Sequence, residues 1–223
     1  MSNVDDEGPL SLDEAILLVE EIGRLNAELA SREARLAELD RLAHRDPLVD
    51  LPNRRSFFSR LQTVIARIDR EASAAALLFV DVDGLKTIND RFGHNAGDRV
   101  LAQVARLLVS SVRKDDFVAR LAGDEFAILL EQSDEMVAWQ TALRVVETIE
   151  DSEFSMSGVR LPLSVATGVG LIKPGDTPDM ALARADKEMY RLKRMQPRGQ
   201  LAIADQDLWH GWGQGLPPTP RVR

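Results

Sequence analysis

Apolar positions along the chain fall into distinct rhythms, and each rhythm predicts a different element. Leu18, Ile22, Leu25, Leu29, Leu36 and Leu39 recur at alternating steps of four and three, with Arg32 taking one position of the register and Glu and Arg filling the flanks. This pattern predicts a helix over residues 11–45 with a coiled-coil stripe, and Ser11 and Glu14 have capping-box spacing at its start. A stripe this narrow, ahead of a globular region, is better explained by pairing with a second copy than by packing on its own domain. The repeat spans only about four heptads, so the coil is a modest dimeriser on its own. Asp46-Pro47 ends the helix, because the residue before proline is pushed out of the helical region.

Residues 48–53 read as a turn, and 54–71 as an amphipathic helix with Phe57, Phe58, Leu61, Ile65 and Ile68 on one side. The run 74–82 is almost continuously apolar, which fits a central strand buried on both faces. Helices are expected near 85–92, 97–111 and 134–150, strand material around 161–172, and a last helix over 177–194. Residues 117–121 and 126–130 form two strands around the tight turn Ala122-Gly123-Asp124. Strands alternating with helices, plus one hairpin, predict an α/β domain whose sheet has mixed strand direction and is flanked by helices. The expected layout is a flexible N-terminus (1–10), a helical stalk (11–45), one catalytic domain (46–198) and a loose polar tail (199–223).

Composition narrows the function. A length of 223 residues, 44% hydrophobic and 29% charged, suits one ordinary domain plus an extra element. The net charge of −8 argues against a non-specific nucleic-acid binder, though not against a nucleotide enzyme whose metals neutralise phosphates locally. No cysteine is present, which excludes disulfides, thiolate metal sites and cysteine nucleophiles. No apolar run approaches bilayer-spanning length and the polar start is no signal peptide, so a cytoplasmic, membrane-free location is expected.

Two acidic clusters each follow an apolar strand: Asp81-Val82-Asp83, and Asp124-Glu125 at the hairpin tip. Carboxylates facing one another at strand ends suit magnesium, which takes oxygen ligands and pairs few protein carboxylates with substrate phosphates. Taken singly, an acidic turn is more often merely solvated. Gly84-Leu85-Lys86 leads directly into a helix, where free N–H groups beside a lysine suit phosphate; no P-loop pattern occurs anywhere. Asn89 and Asp98 put an amide and a carboxylate at hand that match guanine's edge, but spacing alone favours helix capping for both.

Together these residues resemble the GGDEF-domain diguanylate cyclases. The resemblance covers roughly residues 46–193, with motifs in the family's order: Asp46-Pro-Leu-Val-Asp-Leu-Pro-Asn-Arg54, Asp81-Val-Asp-Gly-Leu-Lys86, Asn89-Asp90, Gly93-His94, Gly97-Asp98, Arg120-Leu-Ala-Gly-Asp-Glu-Phe126 and Ala185-Asp-Lys-Glu-Met-Tyr190. It implies the palm-like fold shared with nucleotidyl cyclases, and condensation of two GTP into cyclic di-GMP across a homodimer. It further implies two magnesium (or manganese) ions per site, held by Asp81, Asp124 and the Val82 carbonyl. Glu125 would activate the 3′-hydroxyl through metal or as general base. Asn89 and Asp98 would read guanine, and Lys86, Lys193 and the amides of Gly84 and Leu85 would hold phosphates. Adenine's N1 is an acceptor and would meet repulsion from Asp98.

The family's product-inhibition motif, Arg-x-x-Asp, is matched by Arg113-Lys-Asp-Asp116, with residues 117–121 between it and the signature; Arg144 aligns with a secondary arginine of that site. The chain also departs from the pattern. Ala122 replaces the first glycine of the signature, which would strain a backbone of positive φ. Leu85 replaces a phenylalanine, Val49-Asp50 replaces Thr-Gly, and Arg198 lies one position late for the phosphate arginine, with Arg194 the alternative.

Overall fold

The computed structural model of the chain describes residues 12–71, 73–156 and 158–195. It divides into two compact units, Met1–His44 and Arg45–Arg223. The first holds one helix, α1 (Leu12–His44), about 50 Å long at 1.5 Å per residue. Its flanks carry ion pairs within the helix, Arg24 with Glu21 and Glu28, Arg32 with Glu28, and Arg41 with Glu38. Arg32, the polar interruption of the stripe, is therefore drawn sideways onto Glu28 at 2.7 Å. Leu18, Ile22, Leu25, Leu29, Leu36 and Leu39 are all exposed. Ser11 of the expected capping box, the N-terminus before it and the tail beyond residue 195 lie outside the described residues.

The second unit runs α2 (Arg54–Glu71), β1 (Ala75–Val82), α3 (Leu85–Phe92), α4 (His94–Ser110), β2 (Phe117–Ala122), β3 (Glu125–Glu131), α5 (Glu135–Glu150), β4 (Ser155–Met156), β5 (Val159–Arg160), β6 (Val165–Leu171) and α6 (Pro178–Met195). Four strands form the main sheet in the order β2-β3-β1-β6, and β4-β5 is a small separate hairpin. Every ladder of the main sheet is antiparallel, which corrects the expected mixed direction. The reason is interleaving. β1 connects to β2, and β3 to β6, by helical crossovers that each skip one position, and the skipped position is filled by a strand running the other way.

Two cores lie on opposite faces of this sheet. Ala76, Leu78, Val80 and Val82 of β1 join α3, α4 and α5 on one face, while Ala75, Leu77 and Phe79 join α2 and α6 on the other. That is the physical content of the continuous apolar run: a central strand has no solvent face for polar residues to occupy. On α2, Val64 is buried alongside the predicted Phe57, Leu61, Ile65 and Ile68. Asp134 caps α5 by accepting from Val137 N at 2.9 Å.

Two glycines of β6 set how closely α6 can approach. A Cβ at Gly168 would lie 2.2 Å from both Ala185 O and Met189 N, and one at Gly170 would lie 3.0 Å from Ala185 N. The contact is backbone against backbone, so it fixes α6, and with it Lys193, against the sheet. No helix among the described residues is long and apolar enough to cross a membrane.

Candidate active site

The site begins as a register pair. Asp81 of β1 stands directly opposite Glu125 of β3, and opposed residues of antiparallel strands project to the same face. That face is the one covered by α2 and α6, because Asp81 continues the series Leu77, Phe79 and Glu125 that of Ala127, Leu129. Beyond the pair, Val82 N donates to Asp124 O at 3.0 Å, bringing the hairpin tip onto the end of β1. Asp83 is buried, donating its N–H to Ser164 O at 3.0 Å and accepting from Ser164 Oγ at 3.2 Å.

From α6, Lys193 Nζ reaches Asp81 Oδ1 at 2.5 Å and Asp83 Oδ1 at 3.3 Å. The electrostatics follow from crowding. Burial pushes the Asp81 carboxyl above its ordinary value, with Asp124 and Asp83 adding to the rise and Lys193 opposing it. Glu125 is raised as well, by burial first and then by Asp124, Asp81 and Asp186, against Arg54. For Lys193 burial works against the charged form, but its carboxylate partners outweigh it and the net shift is upward. The cluster thus has more negative charge than one ammonium neutralises, the situation a divalent cation relieves. Among the described residues no group of three or more His, Cys, Asp or Glu side chains is poised around a metal position. The expected donor set, two carboxylates and a carbonyl completed by phosphate oxygens, does not need one and fits magnesium.

The residues expected to hold phosphate and base sit on the next two helices. Gly84 takes the left-handed conformation at φ 70°, ψ 10°, which turns the chain from β1 into α3 and puts Leu85 at the first turn with Lys86 exposed beside it. Asn89 lies on α3 and Asp98, exposed, on α4. Neither caps a helix: the N-cap positions are Gly84 and Gly93, and no side-chain cap bond is made at either. Capping, which spacing alone favoured, is therefore not what these residues do.

Residues 43–198 match the family described as "Diguanylate cyclase, GGDEF domain". The chain is 39% identical over 197 residues to the diguanylate cyclase TpbB of Pseudomonas aeruginosa, covering 84% of this chain and 44% of that protein. The chain belongs to the GGDEF-domain diguanylate cyclase family. It is also similar to the crystal structure of the coiled coil and GGDEF domain of DgcB from Caulobacter crescentus in complex with c-di-GMP, with a TM-score of 0.74 and 25% identity, covering 80% of this chain and 95% of that one. The GGDEF domain of TpbB superposes with a TM-score of 0.64 at 37% identity, covering 68% and 90%. The chain spans less than half the length of TpbB and 28% of the P. aeruginosa diguanylate cyclase DgcP. Diguanylate cyclases of this family need a divalent metal.

Against the GGDEF pattern, the departures resolve individually. Ala122 carries no strain, because the positive φ of the hairpin falls on Gly123 at 45°. Arg120 holds that turn by donating twice to Gly123 O, at 3.0 and 2.7 Å, and reaches Asp46 Oδ1 at 3.0 Å. Asp50 does adopt positive φ, 52°, where the GGDEF pattern has glycine, and Arg45 Nε holds its carboxylate at 2.7 Å. Leu85 is buried in the α3–α5 core. Arg194 lies over the Tyr190 ring at 5.9 Å, and Arg198 falls outside the described residues.

Arg113 and Asp116 close a turn, Arg113 N donating to Asp116 Oδ2 at 2.8 Å and Asp116 N to Arg113 O at 3.1 Å. Burial raises the Asp116 carboxyl, opposed by that N–H and the Arg113 charge. They line a cavity of about 450 Å³ together with Arg60, Phe117 and Glu131. Arg144 is not part of this lining, its Nε donating to Ser111 O at 2.8 Å, but its charge reaches Asp116 and also favours the ionised carboxylate. Sequence reading missed Arg60 and Arg67, which both ion-pair with Glu131 at the end of β3, Arg67 at 2.6 Å. Their seven-residue separation on one face of α2 was the available signal, but nothing local pointed to Glu131.

Proposed function

We propose that this chain condenses two GTP into cyclic di-GMP and two pyrophosphates, working as a homodimer in which each subunit presents one GTP to the other. The observation that carries the reading is the pairing of Asp81 with Glu125 across β1 and β3, with Asp124 beside them at the hairpin tip. Asp81, Asp124 and the Val82 carbonyl are the groups that would hold two magnesium (or manganese) ions. Bound there, the metals would acidify the 3′-hydroxyl and neutralise charge building on the phosphates. Glu125, directly opposite Asp81, takes up the 3′-hydroxyl proton or assists through metal. The 3′-oxygen forms its bond to the partner's α-phosphorus as the bond from that phosphorus to the bridging oxygen of pyrophosphate breaks. Lys86, Lys193 and the amides of Gly84 and Leu85 hold the β- and γ-phosphates, and Lys193 leaves Asp81 to do so. Asn89 and Asp98 read guanine.

The exposed stripe of α1 supports the dimer: six large apolar side chains along one seam are what a coiled-coil partner would cover. Register or rotation of that coil sets how two catalytic domains, residues 46–198, meet. Product binds at Arg113 and Asp116, with Arg144 as a secondary contact, and slows turnover; two GGDEF structures similar to this chain hold c-di-GMP. The reaction is cytoplasmic, where its substrate is. Incubating the protein with GTP and magnesium and separating the nucleotides by chromatography tests this. Cyclic di-GMP should accumulate. Binding of added cyclic di-GMP with no turnover of GTP would instead make the chain a receptor.

A further inference from the structure

Gly97 stands at the fourth position of α4 and is buried. Nothing in its backbone requires glycine, since it is absent from the positive-φ positions. Helix propensity argues against it, because glycine is the poorest helix former after proline. What the position does need is emptiness. A Cβ built on Gly97 would lie 2.0 Å from Asn89 Oδ1, 2.9 Å from Asn89 Cγ and 3.2 Å from Asn89 Nδ2. The whole carboxamide of Asn89 is seated in the space a side chain would fill. All three nearest contacts are to the far end of one side chain, so a methyl group there displaces the Asn89 amide before it presses on either helix backbone.

A second observation says how the amide is held. Asn89 Oδ1 is buried and has no hydrogen-bond partner. Buried polar side-chain atoms are normally satisfied, and no hydrogen bond to Oδ1 holds this one in place. The slot at Gly97 is therefore what orients the amide, and it orients it next to Asp98, the following residue of the same helix turn. We propose that Gly97 is a specificity-positioning residue: its missing side chain seats the Asn89 carboxamide beside Asp98, so that the two present one face to the guanine base. This rests on the reading of Asn89 and Asp98 as the guanine contacts.

Four proteins test it: wild type, Gly97→Ala, Asn89→Ala and the double variant, each assayed for kcat and KM with GTP and for thermal unfolding. Gly97→Ala should raise the KM for GTP about tenfold, the size of one lost hydrogen bond to the base. Its kcat should stay within about threefold, and its unfolding temperature should not fall, since alanine favours the helix. The double variant should be no worse than Asn89→Ala, because the displaced amide is already gone. Losses that add in the double variant, or a wild-type KM in Gly97→Ala, would overturn the inference while leaving the cyclase reading intact. A wild-type protein that neither binds nor turns over GTP would overturn both. The double variant also covers the case in which Gly97→Ala alone folds poorly, since Asn89→Ala clears the space.

Discussion

Gly168→Ala is the same substitution placed against backbone instead of a side chain, and the expected result is opposite. Its Cβ would meet Ala185 O and Met189 N at 2.2 Å and Met189 Cα at 2.7 Å. Van der Waals contact needs these atoms about 1 Å further away, and neither is a flexible tip that can turn aside. The strain therefore falls on α6, which must move off β6. That movement loosens Ala181, Ala185 and Met189, the buried face of the helix. Overpacking of a closed core costs about 1–3 kcal/mol, and a backbone clash on this scale belongs at the upper end, about 3 kcal/mol. For a domain of this size that corresponds to an unfolding temperature about 6–12 °C lower. Gly170→Ala supplies the internal scale, because its nearest contact is 3.0 Å and a few tenths of an ångström relieve it; about 1 kcal/mol is expected. Urea denaturation followed by far-UV circular dichroism measures both. Because Lys193 lies one turn beyond Met189, Gly168→Ala should also raise the KM for GTP. If Gly168→Ala stayed within about 0.5 kcal/mol of wild type, or cost no more than Gly170→Ala, close packing of α6 on β6 would not be what the glycines provide.

Three further outcomes follow from the site and the stalk. Asp116→Ala should relieve inhibition by added cyclic di-GMP while sparing kcat, measured as initial rates against product concentration; unchanged sensitivity would remove the inhibitory role from this turn. In chelated protein, Asp81 and Glu125 have folded pKa values above their unfolded ones. Their contribution to stability is thus fully present below the unfolded values, about pH 4, and is lost as pH rises through the folded values. Thermal unfolding in chelator should show this loss towards neutral pH, weakened in Asp81→Asn; a profile unchanged by Asp81→Asn would contradict it. Deleting residues 1–40 should shift the protein from dimer to monomer in sedimentation and lower the rate together, and loss of neither would show that the stripe of α1 does not pair.

The helices were legible in the sequence to within a few residues, because amphipathic periodicity is local and survives without knowledge of partners. The apolar run of β1 was equally legible, as burial on both faces leaves no polar residue in it. Strand direction was not: two crossovers were visible, but which slot each strand fills depends on β3 coming back between β1 and β2. The short β4–β5 hairpin was missed for a different reason, being two residues a side with no alternation to read. In the candidate site, Asp81 and Asp124-Glu125 showed themselves as acids ending apolar strands. Asn89 and Asp98 did not, since polar residues near helix ends ordinarily cap them, and only the resemblance gave them another role. The seat at Gly97, the clamp at Gly168 and the Arg60–Glu131–Arg67 cluster are tertiary contacts between different elements, two of them far apart in the chain, that leave no local pattern.

Product stoichiometry with magnesium present, in wild type beside Glu125→Gln, shows whether the carboxylates gathered by β1 and β3 convert GTP to cyclic di-GMP. One cyclic di-GMP and two pyrophosphates should appear for every two GTP consumed, and Glu125→Gln should be slower by about 10²–10⁴-fold with its fold retained. GTP left intact by the wild-type protein, or an equal rate in Glu125→Gln, would contradict this role for the carboxylates.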